Sequence, residues 1–205
     1  MKKLLAVAML LWLAGCSSQT SKPAPEAKPT PKPPEYVTGR SGFQHTYVAA
    51  RQWARDAQPY RIESQPTADA RGKDGKAAVW RSYFASPAQT GVKPFVWSGE
   101  DATDAPARGI TSSTEDSYSP TNSSTQIFDS QFLKIDSDKA FEVAQKHGGE
   151  KALDKTPDVS IFYVCDWSKA TNELIWHVIY GESRESPKLR VAVNATSGEF
   201  IRVEK

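Results

Sequence analysis

The stretch ELIWHVIYGE, Glu173–Glu182, reads as a strand rich in aromatic and β-branched residues, with Trp176 near its start. The first half of the chain holds a second version, AAVWRSYFAS at Ala77–Ser86: Val79-Trp80-x-x-Tyr83-Phe84 matches Ile175-Trp176-x-x-Ile179-Tyr180. A further strand-like run follows each, KPFVWS at Lys93–Ser98 and LRVAVNA at Leu189–Ala195. Phe95 lies fifteen residues past Trp80, and Val191 lies fifteen past Trp176. Equal spacing from a tryptophan-bearing strand to its successor is the mark an internal duplication leaves. Two unrelated α+β halves of similar strand composition would give a similar pattern.

Working outward, a helix signal precedes each copy. In the second half Asp136-Ser137 caps a helix over Asp138–His147 (DKAFEVAQKH), with Ala140, Phe141 and Ala144 on one face and Gly148-Gly149 to end it. Val159–Trp167 (VSIFYVCDW) is a strand, and Thr196-Ser197-Gly198 turns the chain into Glu199–Val203 (EFIRV) as a hairpin. In the first half Thr46 precedes a helix over Tyr47–Ala57 (YVAARQWARDA), stopped by Pro59, and Tyr60–Ser64 (YRIES) is a strand. Gly99–Thr125 is acidic and then rich in Ser and Thr, which predicts a partly disordered connecting loop in place of a fourth strand. Ile127–Ile135 (IFDSQFLKI) reads as a further strand or a packing segment. The expected fold is α+β: two tandem helix-on-antiparallel-sheet units, residues 37–125 with the long polar loop and residues 126–205.

The second unit carries a family likeness. The capped helix with A-F-E-V-A, then Trp176-x-Val178-x-Tyr180, then Val191-x-Val193-x-Ala195-x-x-Gly198-Glu199-Phe200, resembles the PepSY domain, a small cystatin-like module of bacterial envelope proteins. Asn194 stands where that pattern usually has aspartate, and Ser197 where it has threonine. The resemblance runs from Ser137 to Val203, and the first half shares it only through the internal repeat. It implies a non-catalytic module that regulates peptidases or assists protein localisation, with no catalytic residue and no cofactor.

At the other end, Met1-Lys2-Lys3 precedes the apolar run Leu4–Leu13 and then Ala14-Gly15-Cys16. The run is far shorter than the roughly 20 residues a spanning helix needs, so residues 1–15 read as a processing signal. Leu13-Ala14-Gly15-Cys16 resembles the bacterial lipoprotein box, which implies cleavage before Cys16 and acylation of its thiol; the other reading is an ordinary secretory signal with an incidental cysteine. More than one acyl chain holds a protein stably at a membrane. Ser17, where aspartate would favour inner-membrane retention, implies the periplasmic face of the outer membrane, or the outer leaflet of the cytoplasmic membrane in a single-membrane host. Residues 16–36 hold six of the fourteen prolines, at 23, 25, 29, 31, 33 and 34. Such a segment favours polyproline II and spans at most about 60 Å at roughly 3.1 Å per residue.

Composition closes off other classes. The chain has 26 Lys+Arg against 24 Asp+Glu, and residues 1–15 take two lysines and no acid, leaving 24 of each. A neutral chain has no electrostatic reason to bind nucleic acid. Cys16 and Cys165 make neither a disulfide framework nor a thiolate zinc site. His45, His147 and His177 lack metal-ligand spacing, so no metal is expected. His147 reads as a dipole contact at a helix C-terminus, and His177 as an exposed sheet histidine on the side opposite Trp176. Cys165 shares a strand face with Ile161, Tyr163 and Trp167 and reads as a small buried hydrophobe; a nucleophilic role would need His45 or His177 beside it. Gly-x-Ser-x-Gly, P-loop and dinucleotide patterns are missing from the sequence, and Glu100, Asp101 and Asp104 lack calcium-loop spacing. Trp80, Trp167 and Trp176 suit a core, which leaves Tyr83 and Trp97 as candidate binding residues. The expectation is a lipid-anchored, non-enzymatic envelope protein that engages another protein or a peptide; the alternative is a structural surface lipoprotein without a client.

Overall fold

The computed structural model describes residues 32–204; the signal segment, the box Leu13-Ala14-Gly15-Cys16 and the tether as far as residue 31 lie outside the described residues. The chain runs through β1 (Val37–Thr38), α1 (Gly39–Trp53), β2 (Gln58–Gln65), β3 (Lys76–Ala77), β4 (Val79–Ser86), β5 (Gly91–Ser98), β6 (Gly109–Ser112) and β7 (Asp116–Ser117). It continues through α2 (Ser137–Ala144), α3 (Glu150–Lys155), β8 (Ser160–Ser168), β9 (Glu173–Gly181), β10 (Pro187–Asn194) and β11 (Phe200–Glu204). Nine strands make one sheet in the order β11-β10-β9-β8-β2-β4-β5-β6, with β7 also against β5; β1 and β3 form a separate pair. All these pairings are antiparallel, so the protein is α+β with one large antiparallel sheet. Strands from the two halves of the chain meet at β2 and β8, where Arg61 lies opposite Asp166, Ile62 opposite Cys165 and Glu63 opposite Val164. Among the described residues no helix is long and apolar enough to cross a membrane.

Alternation along the strands sorts the side chains into two faces. Ile62, Trp80, Phe84, Phe95, Trp97, Tyr163, Cys165, Trp176, Val178, Val191 and Val193 join Phe43 and Ala50 of α1 and Ala140 and Ala144 of α2 in one buried cluster. Trp80 and Trp176 meet edge to face at its centre, 6.3 Å apart and both fully buried. A buried indole N–H needs an acceptor. Trp80 Nε1 donates to the Val37 carbonyl at 2.9 Å, and Trp176 Nε1 to the Ile135 carbonyl at 2.9 Å. Each acceptor sits two residues ahead of a helix.

The helix expected over residues 47–57 begins eight residues earlier, at Gly39. Its first turns pass so close to the tryptophans that a Cβ on Gly42 would lie 2.4 Å from Trp80 Cγ, and one on Gly39 would lie 2.6 Å from Trp176 Cη2. Glycine there serves close packing, which in sequence looks like a turn. Thr46 is interior, its hydroxyl donating to the Phe43 carbonyl at 2.9 Å. The helix also ends before Pro59, which lies in β2; Asp56 holds the intervening turn by accepting from Ser86 Oγ (2.7 Å) and the Ala88 N–H (2.8 Å).

Asp136 caps α2 as expected and serves α1 as well. Its Oδ1 accepts from the N–H groups of Ser137 (2.7 Å) and Arg40 (2.9 Å), and its Oδ2 accepts from Thr38 Oγ1 (2.7 Å). Ser137 Oγ accepts from the Gly39 N–H at 2.7 Å. One carboxylate thus meets the positive ends of two helices. Gly148-Gly149 does not end the helical path: a wide turn over Gln145–Gly149, with Gly148 at φ 114°, leads into α3.

The loop expected over residues 99–125 contains the strand it was expected to replace. β6 pairs with β5 from Ser98↔Gly109 to Phe95↔Ser112, and β7 adds Val92↔Asp116. An edge strand with exposed side chains needs backbone partners but no apolar alternation, so its Ser- and Thr-rich sequence hides it. Residues 127–135 form a packing segment: Phe128 and Leu133 enter the core, and a single tight turn covers Ser130–Phe132.

Candidate functional site

The face of the sheet away from the helices receives the alternate residues of the same strands. β2 contributes Arg61 and Glu63, β8 Val164 and Asp166, β9 His177 and Ile179, β4 Tyr83, and β10 Arg190. With Tyr60 and the Arg184-Glu185 loop between β9 and β10 they line a cleft of about 640 Å³ astride the β2–β8 junction. Val164 and Ile179 are buried here although no helix covers them, so the long side chains around them supply the cover.

The polar groups form one connected chain. Tyr83 donates to Glu63 Oε1 at 2.7 Å, and Glu63 Oε2 takes Arg61 Nε at 3.0 Å together with Arg184 Nη1. Arg61 reaches on to Asp166 at 3.2 Å. His177 lies 3.4 Å from Asp166 through Nε2 and 2.8 Å from Glu204 through Nδ1, and Arg202 closes on Glu204 at 2.7 Å. Glu204 belongs to β11, two strands from His177; the intervening β10 residue opposite His177 is Ala192, small enough to let the contact pass over it.

This arrangement sets the ionisation of the site. Burial lowers the His177 pKa, but hydrogen bonds and charge from Asp166 and Glu204 outweigh it and hold the imidazole up at about 9. Burial acts to raise the Glu204 pKa and is overcome by His177 and the nearby arginines, leaving that carboxyl below its ordinary value. The Tyr60 phenol is pushed by burial up to about 12, and Tyr83 is also raised, chiefly by burial. At neutral pH the cleft therefore presents protonated His177, neutral phenols and paired carboxylates. Its lining of arginines, carboxylates, phenols and one imidazole offers hydrogen bonds and charge to a ligand.

Of the two residues expected to bind, Tyr83 lines the cleft and Trp97 does not: Trp97 is buried on the helix-covered face, stacked on His45 at 5.3 Å. Cys165 also points into the covered core, where burial pushes its thiol pKa well up, and no histidine accompanies it. His177 is not the exposed residue expected, since its side chain keeps only 18% exposure between two acids. His147 does not close a regular helix; it stacks on Phe200 at 3.7 Å. Among the described residues no group of three or more His, Cys, Asp or Glu is placed to hold a metal ion. Arg61, Glu63, Asp166, Arg184 and Arg190 escaped the sequence reading. Their signal was the polar member of each alternating pair, Arg61-x-Glu63 above all, but only the β2–β8 pairing makes them neighbours. No family model matches this chain, and comparisons with curated proteins and with solved structures give no match to it.

Proposed function

We propose that the chain is a lipid-anchored envelope protein whose folded part comprises two PepSY-like, cystatin-like units joined through β2 and β8, acting as a non-catalytic module that binds a peptide or a protein segment. The open-face cleft carries this reading: a concavity of about 640 Å³ with apolar floor residues, two phenols and a rim of arginines. Support for the two units comes from parallel details. Trp80 and Trp176 each bond a carbonyl two residues ahead of a helix, and each pairs with the residue seventeen positions further on, Trp97 and Val193. The lipobox at Leu13–Cys16 supports acylation of Cys16 and, with Ser17, the periplasmic face of the outer membrane.

A photoreactive phenylalanine analogue replacing Tyr60, on the cleft, is compared in cells with one replacing Val48, on the exposed side of α1. Defined adducts from position 60 and none from position 48 are expected. Equal labelling from both, or none from position 60, would favour a structural lipoprotein without a client.

A further inference from the structure

Building on the proposed peptide site, we infer that the cleft takes its ligand by a carboxylate group and that Arg190 is the residue that receives it. When the direct ion pairs of the open face are assigned, Arg190 is left over: it stands opposite Glu204 across β10 and β11 and acts on it through charge alone, without a contact. Glu63 is held by Arg61, Arg184 and Tyr83, Asp166 by Arg61 and His177, and Glu204 by His177 and Arg202. Arg190 forms no ion pair among the described residues. Its Nη2 donates to the Arg184 carbonyl at 2.7 Å, which fixes the guanidinium, while its Nε is buried with no acceptor. Glu185, the remaining acid of the lining, is exposed at the rim.

A desolvated guanidinium N–H without an acceptor is unfavourable, and a carboxylate, with two oxygens in one plane, is the acceptor its planar donors match best. Val164, Ile179, Tyr60 and Tyr83 lie in the same cleft and provide apolar surface for the residues next to that carboxylate. Arg81 also has a buried Nε without a partner, but it lines a smaller adjoining recess of about 160 Å³ that meets the cleft at Glu63 and Arg184. The ligand class is a peptide carrying a carboxylate, either its C-terminus or an Asp or Glu side chain.

The full chain, purified in detergent and immobilised, is offered three degenerate hexapeptide mixtures: one without acidic side chains and with a free C-terminus, the same mixture amidated, and an amidated mixture with a single Asp. Retained peptide is measured by mass spectrometry. Retention of a carboxylate-bearing mixture about tenfold above the amidated one is expected, which corresponds to a tenfold ratio of dissociation constants. Enrichment of the first mixture assigns the terminus, and enrichment of the third assigns the side chain. Arg190→Gln should abolish the enrichment, while Arg202→Gln should keep it. Equal retention of all three mixtures, no retention of any, or enrichment that survives Arg190→Gln overturns the assignment. Adducts from position 60 would in that event leave the cleft standing as a peptide site, and their absence would remove both. If Arg190→Gln lowers the melting temperature, Arg190→Lys replaces it: this keeps the charge and loses the planar fork, and undiminished enrichment in it overturns the assignment.

Discussion

The two faces of the sheet are built from alternate residues of the same strands and solve burial in different ways. On the covered face Trp80, Tyr163, Trp176 and Tyr180 lose almost all exposure to large apolar contacts, with each polar tip given a partner and the Tyr163 hydroxyl two. On the open face charged groups are partly buried, Glu63 almost wholly, and most depend on a charged neighbour for compensation. Cys165 and Asp166 show how abrupt the change is: adjacent in sequence, one packs in the core while the other joins Arg61 and His177. The covered face should tolerate little change in volume and the open face little change in charge balance.

The largest effect belongs to the covered face. Trp176→Ala removes a fully buried indole and strands the Ile135 carbonyl, and should cost about 3–5 kcal/mol in urea unfolding. Next comes the open-face group whose displaced ionisation falls nearest the physiological range. The folded-state pKa of His177, about 9, lies above its unfolded value of 6.5, so its stabilising contribution is complete below about pH 6.5 and disappears as pH rises through 9. The difference in unfolding free energy between the native protein and His177→Gln should therefore shrink by about 3 kcal/mol from pH 6 to pH 10. An imidazole titrating near 6.5 by NMR would break the contrast between the faces.

Asp136→Ala tests the junction of the helices. It removes a cap shared by α1 and α2 and should cost about 1–2 kcal/mol, more than an ordinary single cap position yields on average. Tyr83→Phe keeps the ring in the cleft and deletes the donor to Glu63; a loss of about 1 kcal/mol is expected, with Arg61 and Arg184 retaining the carboxylate. Lys139→Ala removes an exposed pair with Glu142 and should leave the melting temperature unchanged.

How legible these features are in sequence follows from their physics. β8, β9 and β10 stand out because each carries a run of β-branched and aromatic residues with one face against the helices, and in β9 both faces are largely apolar. β6 carries no such mark, since an exposed edge asks only for backbone partners. The start of α1 is masked because Gly39 and Gly42 answer to the tryptophans packed on them, while Thr46 imitates a cap from inside the helix. Tyr83 is legible as an aromatic residue on a strand, whereas Arg190 is not, because a charge without an ion pair becomes visible only once β2, β8, β9 and β10 lie side by side.

The most direct test of the division between the faces fills the cleft without removing any of its charges. Val164 lies on the cleft floor beneath the long side chains that cover it, and Val164→Trp pushes a ring up among them into the cleft. A folded protein destabilised by about 1–3 kcal/mol, less than Trp176→Ala, is expected, together with loss of the retained carboxylate peptides. Retention undiminished in a folded Val164→Trp protein would contradict that expectation.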